Sequence, residues 1–237
     1  MAKRRPEAAS AAPGARAHEA GRGRRARGTR PLEPTGASGR LARLAGPRGV
    51  ALLAPLFALL SLALYAPALN GPFVSDDLHY VATNPYVHDP SPANLAAILD
   101  PLSPASVMVV NYAPVQMLGH ALEWQVFGER TTGYHVVNVL LHALAAALLV
   151  RLFARAGLAP AAAVLGGLLF LVHPANVEAV AWVSQLKSPA SLALSIAALL
   201  AHPRRPALAA ALFALALLAK PTAAFALPVA ALLDWTR

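Results

Sequence analysis

Long apolar runs divided by short polar turns dominate the second half of the chain, and one more such run stands near its start. From Val50 to Leu69 no charged residue interrupts the sequence. As a helix rising about 1.5 Å per residue, that run covers about 30 Å, the thickness of a bilayer's hydrocarbon core. Pro55 and Pro67 are compatible with bends inside it. The next run, His135 to Phe153, is closed by Arg151 and Arg155, and a third extends from Leu158 to Val172 and stops at His173-Pro174. A fourth covers Pro189 to Ala201 before the turn His202-Pro203-Arg204-Arg205-Pro206. Ala207 to Ala219 and Thr222 to Leu233 form a fifth and a sixth, divided by Lys220-Pro221. These last two reach only about 20 Å as helices, short for a span, so five crossings stand as the alternative to six. The pattern predicts an all-α fold, a multi-pass membrane helix bundle of about six spans.

Two stretches do not fit that bundle. Residues 1–48 hold Ala, Gly, Pro and Arg and almost no large apolar side chain before Leu41. Such a segment cannot bury enough surface to offset the entropy of ordering it, so a disordered tail is expected there. It is too long and too interrupted for a secretory leader, and residues 49–70 are expected to stay in place as the first transmembrane helix. Residues 71–132 read as a loop with short surface helices. Asn94–Leu99 and Pro114–Phe127 have helical apolar spacing, the second through Val115, Leu118, Leu122 and Val126. Residues 133–237 supply the rest of the bundle.

Charge orients this arrangement. The chain is 57% hydrophobic and 13% charged, with a net charge of +9, too apolar for an ordinary soluble domain. Twelve of its 20 Lys and Arg precede residue 49. No aromatic side chain is interleaved among them for base stacking, which argues against nucleic acid and for a basic cytoplasmic tail. Residues 70–132 carry six acids against the single Arg130 and belong on the far side of the membrane. Arginines recur at 151–155, 204–205 and 237, so both termini are expected in the cytoplasm. There is no cysteine, which removes disulfides and thiolate metal sites.

Candidate chemistry clusters at the outer face. Asn70-Gly71-Pro72-Phe73-Val74-Ser75-Asp76-Asp77-Leu78-His79 follows the first span directly. Paired carboxylates there can serve as a general base or bind a divalent cation, with His79 adding a nitrogen ligand or orienting an acid; the bland reading is solvated loop acids. Between the third and fourth runs, Glu178, Trp182 and Gln185 would share a face at i, i+4 and i+7 if the segment is helical. That face can hold a sugar, or simply anchor an interfacial helix through its tryptophan. Lys220, set between two apolar runs, can neutralise a lipid phosphate or snorkel to the headgroups. His135, Asn138 and His142 lie on one helix face, where hydrogen bonding between helices is favoured over metal binding.

In order, these segments resemble the type C glycosyltransferases, most closely the transmembrane and tetratricopeptide-repeat, O-mannosyltransferase-like family. The matching residues are Asn70-Gly71-Pro72-Phe73-Val74-Ser75-Asp76-Asp77, Asn84-Pro85, Asn111-Tyr112-Ala113-Pro114, Phe127-Gly128 and Gly133-Tyr134-His135 through His142-Ala143-Leu144. His173-Pro174-Ala175-Asn176-Val177-Glu178-Ala179-Val180-Ala181-Trp182, Lys187, Leu218-Ala219-Lys220-Pro221 and Leu232-Leu233-Asp234-Trp235 complete the set. The chain departs from the pattern at Ala113, where an arginine is common, and around Lys187, which lacks the family's neighbouring arginine and acid.

The resemblance implies a polyprenyl-phosphate-linked sugar donor and transfer on the extracytoplasmic side. It implies an aspartate base in the first outer loop, Asp76 before Asp77, and an inverting displacement. The cations it leaves for the phosphate are Lys187, Lys220 and Arg130. His79, Glu178, Trp182 and Gln185 are the expected substrate contacts. A divalent cation is left open. The family continues into further spans and tetratricopeptide repeats, so this chain is expected to be an N-terminal half whose partner is a C-terminal half or a repeat protein. A non-catalytic scaffold or remnant is the alternative, and a small transporter a third reading, against which the lack of an inverted repeat counts. The Ala-, Arg- and Pro-rich composition suggests a GC-rich bacterial genome and hence the inner membrane.

Overall fold

The computed structural model describes residues 36–46 and 48–235, and among them every regular element is helical. Of the tail expected over residues 1–48, residues 1–35 and 47 lie outside the described residues, as does Arg237, expected on the cytoplasmic side. The order is α1 (Gly36–Ala45), α2 (Gly49–Leu64), α3 (Pro85–His88), α4 (Pro92–Leu99), α5 (Pro104–Met108), α6 (Pro114–Phe127) and α7 (Thr131–Arg155), then α8 (Pro160–Val172), α9 (Val177–Ala181), α10 (Lys187–Ala201), α11 (Pro206–Ala219) and α12 (Ala226–Trp235). Helix α1 falls within the stretch expected to lack regular structure; its Leu44 and Ala45 pack into the cluster formed by α2, α7 and α8.

Helix α7, 25 residues and about 37 Å long, is the centre of the bundle. Its alanines set how closely neighbours approach. Ala143, Ala146, Ala147 and Val150 meet Leu53 and Phe57 of α2 and Ala163 and Leu171 of α8, while Ala145 and Leu152 meet Ala193, Ile196 and Leu199 of α10. Where hydrocarbon surrounds the helices, such small residues let backbones close up and gain dispersion contact. Gly167 of α8 marks a close approach to α7: a Cβ there would stand 2.3 Å from Val150 Cγ2. On α2, Leu53, Phe57 and Ser61 face inward at four-residue steps, while Leu52, Leu56, Leu59 and Leu64 stay exposed, as a lipid-facing side requires.

Among the described residues two stretches, Thr131–Arg155 and Val183–Ala201, are long and apolar enough to cross a membrane, and the number rises to four if each of two bent helix pairs is one span. One such pair is Pro160–Val172 with Pro174–Ala181, bent by 51°. The fifth and sixth runs form the shorter apolar helices Pro206–Ala219 and Pro221–Trp235. A helical membrane-type bundle therefore stands.

Breaks between helices free backbone carbonyls, and α7 collects them. His135 Nε2 lies 3.2 Å from Gly71 O, Asn138 Nδ2 donates to Trp182 O (2.9 Å) and Val183 O (3.3 Å), and His142 Nε2 lies 3.0 Å from Leu171 O. These three side chains, on one face of α7, reach backbone in the loop beyond α2, in the last turn of α8 and just after α9. Away from water a carbonyl left without a donor is costly, which explains polar residues in so apolar a helix.

The loop of residues 71–132 folds into a compact cap. Tyr80, Val81, Val87, Ile98, Val109 and Met117 pack over Tyr134 at the start of α7 and over Val183. Prolines open α3, α4, α5 and α6 at their first turns, where a missing N–H costs nothing. Helix α6 turns part of its apolar stripe outward and its polar side inward. Leu122 and Val126 of the apolar stripe are 68% and 56% exposed, whereas Gln116, His120 and Glu123 are buried.

Candidate functional site

The two adjacent aspartates have opposite fates. Asp77 is buried, its Oδ1 accepting from the backbone N–H of Ser184 (2.7 Å) and from the Ser184 hydroxyl, its Oδ2 from Val74 N (3.0 Å). All three bonds are to a charged acceptor, the strong kind, and they occupy the carboxylate in structure. Asp77, expected as the second candidate base, is held in the manner of an anchor. Asp76 is exposed, and its carboxylate accepts a long hydrogen bond from Ser75 Oγ at 3.5 Å. Ser75 has φ 52°, in the left-handed region, and this turns the chain so that neighbouring carboxylates point to different places.

Three other segments converge on Asp76. A π-helical turn, Leu78–Ala82, places Tyr80, whose hydroxyl donates to Val109 O (2.9 Å) and accepts from Asn111 Nδ2 (2.5 Å). The Lys187 ammonium stands 3.3 Å from that hydroxyl and 4.8 Å from the centre of the Tyr80 ring. Asp76 acts electrostatically on both Tyr80 and Lys187. Burial pushes the Tyr80 phenol above the ordinary tyrosine value; the Asn111 bond opposes this and the Asp76 charge adds to it. Tyr80 and Asn111 were missed as site residues, although Asn111 belongs to the motif that carries the family resemblance. Val110, just before Asn111, holds φ 59°, unusual for a β-branched residue. Such strain persists where surrounding contacts enforce it, commonly at functional sites.

Lys220 completes the group from the turn between α11 and α12. Its ammonium donates to Ser188 Oγ (2.8 Å), which donates in turn to Gln185 Oε1 (2.7 Å). Burial pulls Lys220 below the ordinary lysine value, the Lys187 charge lowers it further, and Glu178 opposes both. Neither lysine is directly ion-paired with a carboxylate among the described residues. Two mutually repelling ammoniums, one of them near the exposed Asp76 carboxylate, can hold a phosphate and leave a base free.

The remaining candidates divide. Glu178, Trp182 and Gln185 do not share a helix face, because α9 ends at Trp182 (ψ 124°) and Val183–Leu186 form a tight 3₁₀ turn. The break still brings Gln185 and Glu178 to Lys220, and Trp182 Nε1 to Val74 O at 3.4 Å, against the Asp76 loop. His79 is exposed and contributes its backbone carbonyl, to Asn84 Nδ2 at 2.9 Å. Arg130 contacts neither lysine. Its guanidinium folds back on Phe127 O and Val126 O, beside a separate cleft of about 550 Å³ that also includes Asn70 and Thr132. For the divalent cation, no group of three His, Asp or Glu is found among the described residues.

No family model matches the chain, and no solved structure does. Named relatives exist. Protein O-mannosyl-transferase Tmtc1 of Drosophila melanogaster is 38% identical over 152 residues, 60% of this chain and 17% of the relative. Protein O-mannosyl-transferase Tmtc2 of the same fly is 35% identical over 198 residues, 75% of this chain and 21% of the relative. Protein O-mannosyl-transferase TMTC1 of Mus musculus is 31% identical over 160 residues, 64% of this chain and 17% of the relative. The chain is thus similar over most of its own length to protein O-mannosyl-transferases, and it spans about a fifth of theirs.

Proposed function

We propose that the chain forms the donor-handling part of a membrane glycosyltransferase that moves a sugar, mannose by the names of its relatives, from a polyprenyl phosphate to an acceptor hydroxyl. The acceptor oxygen attacks the anomeric carbon while Asp76 takes its proton. The bond from that carbon to the phosphate oxygen breaks, and the polyprenyl phosphate leaves with the electron pair. Lys187 and Lys220 neutralise the charge that grows on the departing phosphate. Attack opposite the leaving group inverts the anomeric centre.

One observation carries this reading: Lys187, in electrostatic reach of the exposed Asp76, also acts on Lys220, and neither half-buried lysine is directly paired with a carboxylate among the described residues. Glu178, which acts on Lys220, and Trp182, against the Asp76 loop, are the side chains assigned to contact the sugar. The proposal includes six crossings with both termini in the cytoplasm of a bacterial inner membrane, which puts the Asp76 loop outside, supported by the alternation of arginine-rich and acidic turns. It also includes a partner, further spans and tetratricopeptide repeats, as the greater length of the relatives suggests.

The test is sugar transfer in membranes carrying the chain with those spans and repeats. Asp76→Asn is expected to abolish transfer at unchanged protein level. Full activity in that variant would remove the assignment.

A further inference from the structure

A line of buried polar groups runs behind the site and takes no part in the proposed chemistry. Ser184 is gripped from both sides: its N–H and hydroxyl go to Asp77, and its carbonyl accepts from Gln116 Nε2 at 2.6 Å. Gln116 Nε2 also lies 3.3 Å from His120 Nε2, and His120 Nδ1 lies 2.7 Å from Glu123 Oε2. The amide can donate two protons, one to Ser184 O and one to His120 Nε2. That leaves His120 with its proton on Nδ1, directed at the Glu123 carboxylate. Gln116, His120 and Glu123 are 1%, 0% and 6% exposed, although α6 shows two leucine and valine side chains to the outside.

A helix that buries its polar residues and exposes its apolar ones must recover the desolvation cost through bonds made inside. Here those bonds end on one peptide unit. Ser184 sits in the Val183–Leu186 turn, and the next residue after that turn is Lys187. The same turn carries Gln185, which orients Ser188 and through it Lys220. A 3₁₀ turn of four residues has few internal bonds of its own, so its register depends on what holds it from outside.

We infer that Gln116, His120 and Glu123 are positioning residues: a buried brace that fixes the Val183–Leu186 turn and thereby aims Lys187 and Lys220 at the donor phosphate. The role in phosphate binding rests on the function proposed above. The brace itself rests only on the hydrogen bonds and burial.

The absence of cysteine and the confinement of the brace to one turn make amide exchange a clean probe of the full chain in nanodiscs. Gln116→Glu keeps the size of the side chain and removes the N–H offered to the Ser184 carbonyl. It is expected to speed exchange of the Val183–Leu186 amides at least tenfold, with the interior of α7 unchanged. Affinity for polyprenyl monophosphate is expected to fall at least fivefold. Glu123→Gln, whose amide oxygen still accepts from His120, is expected to keep both near the starting values, whereas Glu123→Leu loses both. If Gln116→Glu is not recovered folded, His120→Gln is expected to give the same pattern at smaller amplitude. Unchanged exchange at 183–186 overturns the brace, and faster exchange with unchanged affinity overturns its positioning role. A parent chain without affinity for the phosphate overturns the glycosyltransferase reading instead, and exchange still decides the brace.

Discussion

Ser184 donates its backbone N–H and its hydroxyl to the same carboxylate oxygen of Asp77, from 107 positions further along the chain. This one contact ties the loop after α2 to the turn that precedes Lys187, and it gives two neighbouring aspartates different surroundings.

The two aspartates should therefore fail differently. Asp77→Ala leaves the Ser184 and Val74 donors buried without an acceptor and is expected to cost about 3 kcal/mol or more of stability. Asp76→Asn, at an exposed position, is expected to stay within about 0.5 kcal/mol of the parent. Thermal unfolding of both variants in detergent checks this; equal destabilisation would erase the distinction.

Asn138 satisfies two carbonyls at the α9 break from within α7. Asn138→Leu preserves apolar volume and removes the donor. A loss of about 1–3 kcal/mol is expected, from carbonyls buried without partners, and the same unfolding assay reads it.

Val110 is held at φ 59° beside Asn111. Val110→Gly adopts that backbone without the Cβ clash, so a gain of about 1 kcal/mol is expected from relief of strain, reduced by glycine's greater unfolded entropy. A lower melting temperature would show that the left-handed turn carries no strain.

Lys220 gives the site a pH dependence with a definite sign. Its folded value lies below the ordinary lysine value, so its ammonium is lost at lower pH than a free lysine's. Affinity for a polyprenyl phosphate should fall on the alkaline side at a lower pH than an unperturbed lysine would set, and Lys220→Arg, which stays charged, should move that limb upward. The fold holds this proton less tightly than the unfolded chain does. Deprotonation of Lys220 therefore favours the fold, and the alkaline loss is not unfolding driven by this group.

Much of the bundle was legible because lipid imposes a simple rule on composition. The apolar runs at α2, α7, α8 and α10 announce helices, and the spacing of His135, Asn138 and His142 announces an inward face. In helix α6 the apolar spacing announced a surface helix, and Leu122 and Val126 do face outward; the inward polar side of Gln116, His120 and Glu123 had no such signal. Asp76 and Asp77 could not be told apart locally, since the difference is a serine 107 positions away. The break at Trp182 was equally hidden: its residues suit a helix, and the carbonyls it frees are met by Asn138 from another element.

The central claim is that Asp76 removes a proton at a phosphate site built by Lys187 and Lys220. Donor affinity and sugar transfer, measured together on Asp76→Asn in the full enzyme, test it most directly. The account predicts donor affinity within about threefold of the parent and transfer reduced by at least about a hundredfold, the scale of general-base catalysis. Transfer at the parent rate, or loss of donor binding equal to the loss of transfer, would contradict it.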